Sequence, residues 1–283
     1  MLGNRPVKKS LKEYARGITG GLLFSFPLLY TMEVWWAGFS ATPLQLLLLV
    51  VVTYLLLLGY NRYAGMRPGV SWRSVMIDSV EEMGIGLVLS YAVLLVLNRI
   101  QIADMALNEI MGKTIIEAMA VSIGVSIGTA QLGSDGQEEE EREHNEELEE
   151  EKKPGHIGMA VLAFCGALLI GGNVAPTEEV VMLAVEATPV HVLLMAVASL
   201  LLSVVVVYFS DFKGTTGKKP GDLWFWLTFD TCVSYLVALM ASAFVLWFFG
   251  RFDNVSFWTA FSQTIVLGVL SSLGASAGRL LIK

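Results

Sequence analysis

Eight long runs of apolar residues restrict the folds that this chain of 283 residues can adopt. Crossing the hydrocarbon core of a bilayer takes about 20 consecutive apolar residues. Hydrophobic residues make up 54% of the chain and charged residues only 16%, a balance typical of membrane proteins. The sequence therefore predicts an all-α transmembrane protein with eight helices. The predicted spans cover residues 17–38, 43–61, 71–98, 107–131, 157–175, 189–209, 223–249 and 257–281.

Basic residues are unevenly distributed among the segments that join these runs. With eight spans, the two termini and every second connection lie on one side of the membrane. That side holds 16 of the 19 Lys and Arg residues. Because Lys and Arg are enriched in cytoplasmic segments of membrane proteins, both termini are predicted to be cytoplasmic. Residues 1–16 would then form an amphipathic cytoplasmic N-terminus.

The chain contains an internal repeat. A shift of 146 residues aligns residues 20–48 with residues 166–194, and 11 of these 29 positions are identical. Shifts of 152 and 150 align later segments, including their charged and small residues. Each repeat has four spans, an even number, so both enter the membrane from the same side. We expect two tandem four-helix repeats, residues 17–133 and 155–283, in parallel orientation about a pseudo-twofold axis along the membrane normal.

Paired acids lie within the predicted spans. Asp78 and Asp230 occupy equivalent positions, and each is followed by a hydroxyl residue, Ser79 or Thr231. Glu82 lies one turn further along the first helix of the pair. Ionisable groups within a bilayer are costly and often functional, and clustered carboxylates require protons or a bound cation. These residues are predicted to line an ion pathway; the alternative is a structural carboxylate bonded to a neighbouring helix.

A second pair of acids lies toward the outer ends of the first and fifth spans. Glu33 and Glu179 each lie two residues after a threonine, Thr31 or Thr177, and a proline precedes each group. Proline disturbs a helix and frees carbonyl groups that can face an ion. We place these four residues in the predicted ion pathway as well. The alternative is an interfacial acid in an external loop.

Small residues alternate in the fourth and eighth spans. Spacings of four permit close contact between helices, so helix packing is the first interpretation and a hydroxyl-lined passage the second. Glu117 lies on the same helix, but its equivalent is Leu267, which argues against a paired role. The small residues are Ser122, Gly124, Ser126 and Gly128 in the first repeat and Ser272, Gly274, Ser276 and Gly278 in the second.

An acidic segment separates the two repeats. Residues 134–153 carry a net charge of −8, with 11 acidic and three basic residues. We expect residues 134–154 to form a solvated cytoplasmic loop. Cation sensing or a partner contact by this loop is the alternative. The two cysteines and three histidines show no metal-binding spacing, and no catalytic or nucleotide-binding motif is present, so neither an enzyme nor a metal cofactor is expected.

The first span also carries a family resemblance. Residues 20–23 read Gly-Gly-Leu-Leu, and residues 27–36 read Pro-Leu-Leu-Tyr-Thr-Met-Glu-Val-Trp-Trp. These stretches resemble the signature of an uncharacterised bacterial integral membrane protein family, known as a domain of unknown function, over most of the chain. The resemblance implies eight spans in a prokaryotic plasma membrane and supplies no mechanism.

Three functions remain open from the sequence. The duplicated acids favour a cation channel or cation-conducting pore at the central axis. A proton-coupled carrier of a cation or small solute is an alternative, and a non-transporting scaffold or sensor that acts through the acidic loop is another. The expected partners are the lipid bilayer, an inorganic cation or proton, and further copies of the chain in a homo-oligomer. Nucleic acid is not expected, and the expected ligand is a bound cation.

Overall fold

The structure is a computed structural model that describes residues 7–64, 71–131, 156–211 and 220–280. These residues are helical, with short connections and no strand. The acidic loop predicted at residues 134–154 lies outside the described residues. The helices in chain order are α1 (Val7–Leu29), α2 (Met32–Ser40), α3 (Pro43–Tyr63), α4 (Trp72–Val96), α5 (Leu107–Gln131), α6 (His156–Val174), α7 (Glu178–Glu186), α8 (Pro189–Asp211), α9 (Pro220–Phe248) and α10 (Phe257–Leu280).

Six helices in the described part of the chain are long and apolar enough to cross a membrane, where the sequence predicted eight. The six segments are Pro43–Tyr63, Trp72–Val96, Leu107–Ala130, Ile157–Val174, Thr231–Phe248 and Phe257–Gly278. Six of the eight predicted spans are therefore candidate spanning helices in the described residues, and the other two are not confirmed.

The other two predicted spans fail this criterion for different reasons. Residues 17–38 do not form one helix, because α1 ends at Leu29 and α2 begins at Met32. The uncharged part of α1 covers only residues 17–29, which spans about 20 Å against a core of about 30 Å. Helix α8 runs from Pro189 to Asp211, but its side chains are described only as far as Val205, so Pro189–Val205 counts as a shorter apolar helix.

Helices α5 and α10 form the centres of the two halves. Helix α5 contacts α1, α2, α3 and α4, and α10 contacts α6, α7, α8 and α9. Most of α5 is buried from Gly112 to Gly128. By contrast, α3 and α8 carry exposed leucine and valine side chains along their outer faces. A buried central helix with apolar outer helices is the arrangement expected for a bundle surrounded by lipid.

The glycines of α5 and α10 lie where the backbones approach most closely. Gly124 and Gly128 pack against the backbone of Gly20 in α1, and Gly274 packs against the backbone of Gly166 in α6. A Cβ atom at any of these positions would clash with backbone atoms of the neighbouring helix. The absence of side chains therefore allows α1 and α6 to pack tightly on the two central helices.

Helices α1 and α2 together extend along the whole of α5. Gly17 contacts Thr129, whereas Gly38 contacts Lys113. The contacts thus move toward the N-terminus of α5 as the chain advances from α1 into α2, so the pair runs antiparallel to α5. The segment predicted as the first span therefore covers the length of a spanning helix as two pieces.

Helix ends in the two halves have matching caps. Thr42 starts α3 with a capping box to Gln45, and the Thr188 hydroxyl lies 2.8 Å from Nδ1 of His191 at the start of α8. Asn98 and Gly250 follow α4 and α9, and both have positive φ, 56° and 68°. This left-handed conformation ends a helix by bonding its last carbonyl groups.

Helix α6 joins the halves. It contacts α1, α3 and α5 of the first half. Among the described residues, the pairs that a twofold axis would make equivalent, α1 with α8 and α1 with α10, have no comparable contact. Contacts within the halves therefore correspond, while those between them are not twofold symmetric.

Replacing Gly20 by alanine should lower the free energy of unfolding by about 1–3 kcal/mol, because the new methyl group would overlap the backbone of α5. Gly84 provides the matched control, since it lies in α4 with no atom near its Cβ position. Gly84→Ala should stabilise the protein by about 0.5–1 kcal/mol. Thermal unfolding of both variants in detergent measures the difference; equal effects would contradict this packing.

Candidate functional site

A buried carboxylate lies between α3, α4 and α5. Glu82 of α4 accepts a hydrogen bond from the Asn61 side-chain amide, with 2.6 Å between Nδ2 and Oε2. The same amide nitrogen lies 3.0 Å from the Ser79 hydroxyl, and the Ser126 hydroxyl donates to Asn61 Oδ1 at 3.0 Å. Three helices thus contribute to one hydrogen-bonded cluster, which we call the Glu82 cluster (Asn61, Ser79, Glu82 and Ser126).

The sequence of α4 explains why this cluster faces inward. Buried residues recur every three or four positions along α4, the spacing of one helical face. Four of the six residues on this face are small or polar. The six residues are Val75, Ser79, Glu82, Gly86, Ser90 and Leu94. Gly86 lies directly against Ser122 of α5, so the absent side chain brings the two helices together beside the cluster.

Two further acids lie next to Glu82 on α4. Asp78 is half-buried one turn away, and Glu81 is exposed. Asp78 and Glu82 are therefore close enough to repel each other when both are ionised. The structure places Asp78, Ser79 and Glu82 together, as three of the predicted ion-pathway residues.

The second half does not reproduce this cluster. Asp230 lies in α9, and its side chain is outside the described part of the chain. Thr231 is buried, and the equivalent of Glu82 is Ser234, also buried. In the described residues α4 and α9 make no extensive contact. Among the residues whose side chains are described, α4 and α9 therefore do not meet at a common seam.

Glu33 and Glu179 lie in the first turns of the short helices α2 and α7. An acid in this position interacts favourably with the positive end of the helix dipole. A hydrogen bond from the α7 backbone is the main cause of the lowered pKa of Glu179, which is exposed and lies outside the six candidate spans. Thr31 and Thr177 precede these helices, and their hydroxyls donate to Pro27 and Val174 carbonyls.

The break at Pro27 is bridged from the other half of the protein. In a regular helix the N–H of Leu28 would bond the carbonyl of Phe24. Here Leu28 N–H donates to Oδ1 of Asn173 in α6 at 3.0 Å, and Nδ2 of Asn173 donates to the Phe24 carbonyl at 3.1 Å. The amide of Asn173 thus replaces one missing backbone bond. With the shift of 146, Asn173 is the repeat equivalent of Pro27.

Basic residues fasten the short helices at the same end of the protein. The Arg99 guanidinium lies over the Trp35 ring of α2, 4.1 Å from its centroid. Arg251 pairs with Glu178 of α7 at 3.0 Å and also donates to the Pro176 carbonyl. Matching arginines therefore hold both short helices, although with different partners.

Lys113 is a buried cation at the start of α5. Its ammonium group lies 2.8 Å from a Glu109 carboxylate oxygen and 3.2 Å from the Arg99 carbonyl. It also lies over the Phe39 ring, 4.6 Å from the centroid. These contacts compensate its charge locally and connect α5 with α2 and the α4–α5 loop.

The small residues of α5 and α10 divide into two faces. Gly124 and Gly128 contact α1, whereas Ser126 faces the Glu82 cluster. In the second half, Gly274 and Gly278 contact α6. The other predicted residues of this set, Ser122, Ser272 and Ser276, are all buried. The glycines occupy helix contacts, and one serine joins a polar cluster.

Sequence reasoning missed Asn61, Asn173 and Lys113. An amide in an apolar run is itself a signal, because a buried amide needs hydrogen-bond partners. Asn61 and Asn173 each lie at the end of such a run. Their partners, however, are 21 and 149 positions away in the chain, so the sequence could indicate a polar contact but not its location.

A family of integral membrane proteins matches this chain, in agreement with its apolar helical bundle. Residues 13–282 match the family model described as "Putative integral membrane protein (DUF2391)". The chain belongs to the DUF2391 family. This confirms the predicted resemblance to an integral membrane family. No curated protein and no solved structure matches the chain. In the part that the structure describes, no group of three or more His, Cys, Asp or Glu side chains could hold a metal ion.

The Asn173 bridge predicts energetic coupling with Pro27. Asn173→Leu should lower the free energy of unfolding by about 1–3 kcal/mol, because the Leu28 N–H and the Phe24 carbonyl lose their partners. Pro27→Ala should relieve much of this loss, since α1 can then close its own backbone bond. A double-mutant cycle of thermal or denaturant unfolding measures the coupling. Strictly additive effects would contradict the bridge.

Proposed function

We propose that this DUF2391 protein transports cations across the membrane, and that the Glu82 cluster is the site at which the proton or cation binds. The observation that carries the proposal is a buried acid with amide and hydroxyl partners, positioned between three helices of the bundle. Carboxylates within membrane helices are costly and mark ion pathways and proton relays. The partly exposed Asp78 one turn away provides a route toward the surface.

The Glu82 cluster favours a coupled carrier over an open pore. Glu82 is nine-tenths buried and held at short distance by Asn61. A group in this environment must exchange its partners when it binds or releases a proton or cation. A saturable carrier has such alternating states, whereas an open channel keeps its acidic groups hydrated. The channel hypothesis is retained as an outcome of the transport experiment.

The membrane architecture that we propose has two tandem repeats and eight crossings. Two tandem repeats with the same orientation account for the matching caps, the matching glycine contacts and the equivalent exposed residues of α3 and α8. The pair α1–α2 would cross the membrane as a broken helix, and α8 would complete eight crossings. The basic bias then directs both termini to the cytoplasm of a prokaryotic cell. We also propose that the chain forms a homo-oligomer and that the half containing Asp230 contributes to the ion pathway. The two halves would follow the pseudo-twofold axis only approximately.

Transport in liposomes tests this function. Purified protein should move protons or a monovalent cation, with a flux that saturates. Glu82→Gln should reduce the flux by more than about tenfold, equivalent to about 1.4 kcal/mol, because the carboxamide cannot exchange a proton. Asp78→Asn combined with Asp230→Asn should also reduce it. A pH-sensitive dye and radioactive cations measure the two fluxes.

Glu81→Gln is the matched control for this experiment. Glu81 is adjacent in sequence but exposed, so removing its charge should leave the flux nearly unchanged. A flux that is equal in the Glu82 and Glu81 variants would remove the Glu82 cluster from the pathway. Flux without saturation, with unitary current steps, would replace the carrier by a channel.

Deleting residues 134–153 tests the scaffold or sensor hypothesis. If the chain is a carrier, the shortened protein should retain saturable transport. Loss of a cellular effect together with intact transport would instead assign that effect to the acidic loop.

A further inference from the structure

Glu117 of α5 is a fully buried acid that does not belong to the Glu82 cluster. Its exposed fraction is 0%, and both carboxylate oxygens have no hydrogen-bond partner in the described part of the chain. An ionised carboxylate buried without partners carries a large free-energy cost, so it needs a proton, a ligand or a counter-charge.

The contacts of α5 locate Glu117 beside the break between α1 and α2. Residues 113, 117 and 121 lie on one face of the helix, because they are four positions apart. Val121 contacts Gly21 of α1, and Lys113 contacts Gly38 of α2. Glu117, midway between them, therefore lies at the level where α1 ends at Leu29 and α2 begins at Met32.

The nearest buried cation on this face does not neutralise Glu117. Lys113 directs its ammonium group toward the N-terminus of α5, to Glu109 and to the Arg99 carbonyl. Glu117 lies one turn away in the other direction. The break itself presents the carbonyl end of α1, which carries the negative end of the helix dipole. The carbonyls of Pro27, Leu28 and Leu29 each accept one hydrogen bond, from Thr31 or Trp35, and each keeps a second lone pair. Pro27 frees a further carbonyl in this turn, that of Leu23, because proline has no N–H.

We propose that Glu117 and the carbonyl end of α1 form a binding site for a monovalent cation of the size of Na⁺ or K⁺. Ends of interrupted membrane helices coordinate such ions with backbone oxygens. One carboxylate balances one positive charge. A divalent ion would need more anionic ligands, and no group of three or more His, Cys, Asp or Glu side chains among the described residues could hold a metal ion.

The repeat makes this site asymmetric. The equivalent of Glu117 is Leu267, also fully buried. A leucine is therefore compatible with this position in the second half of the fold. The Asn173 amide holds the backbone around Pro27 from the second half. The first half would thus supply the ligands, while α6 fixes the geometry of the broken helix.

Cation-dependent unfolding of the full chain in detergent tests the site. NaCl or KCl should raise the unfolding midpoint saturably by several degrees over N-methyl-D-glucamine chloride at equal ionic strength, since a ligand stabilises the state that binds it. In a Glu82→Gln background, which removes the proposed transport site, Glu117→Leu and Glu117→Gln should fold and lose this response. Radioactive Na⁺ or K⁺ should bind at about one ion per chain in Glu82→Gln, and binding should be undetectable when either Glu117 substitution is added.

The outcomes separate this site from the proposed transport function, on which it does not depend. Glu82→Gln should keep the cation response while losing flux. Absence of flux with intact, Glu117-dependent binding would reject transport only. An unfolding midpoint that is the same in all three salts, or that responds to pH alone, would reject the cation site. A full cation response of Glu117→Gln in the Glu82→Gln background would reject it as well.

Discussion

Polar groups in this bundle must find partners within the protein, because the hydrocarbon core offers no water to satisfy them. Continuous helices meet this requirement for the backbone, and most of the chain obeys it in that way. The exceptions are the break at Pro27 and the acids of α4 and α5. Two of these exceptions have a specific partner from the tertiary structure: the Asn173 amide at the break, and the Asn61 amide beside Glu82. The carboxylate of Glu117 has no hydrogen-bond partner among the described residues.

These answers come from different parts of the chain. The Asn61 amide acts within the first half, whereas Asn173 reaches across from the second. The interrupted helix is therefore held by α6, which also makes the contacts between the halves with α3 and α5. A movement of α6 relative to α1 would directly change the backbone geometry at Pro27. Such a connection suits a protein in which binding and the relative position of two helical units are coupled.

The two halves of the bundle correspond in some features and differ in others. Helix caps and close glycine contacts correspond, because they depend on local spacing and on single small residues. The polar interior does not correspond: Glu82 faces Asn61 in one half, while the equivalent position is Ser234 in the other, and Glu117 is opposed by Leu267. Among the described residues the buried acids lie in the first half, and the second half supplies packing and the Asn173 bridge.

The sequence by itself determined the class of the protein, the positions of most helices and the presence of costly acids in α4, because length and hydrophobic patterning are local properties. It could not determine that residues 17–38 would form two helices, since a proline within an apolar run is compatible with either a kink or a break. Nor could it assign partners to Glu82 or to the backbone at Pro27. Those depend on which helix faces meet, and that is decided by packing between residues far apart in the chain.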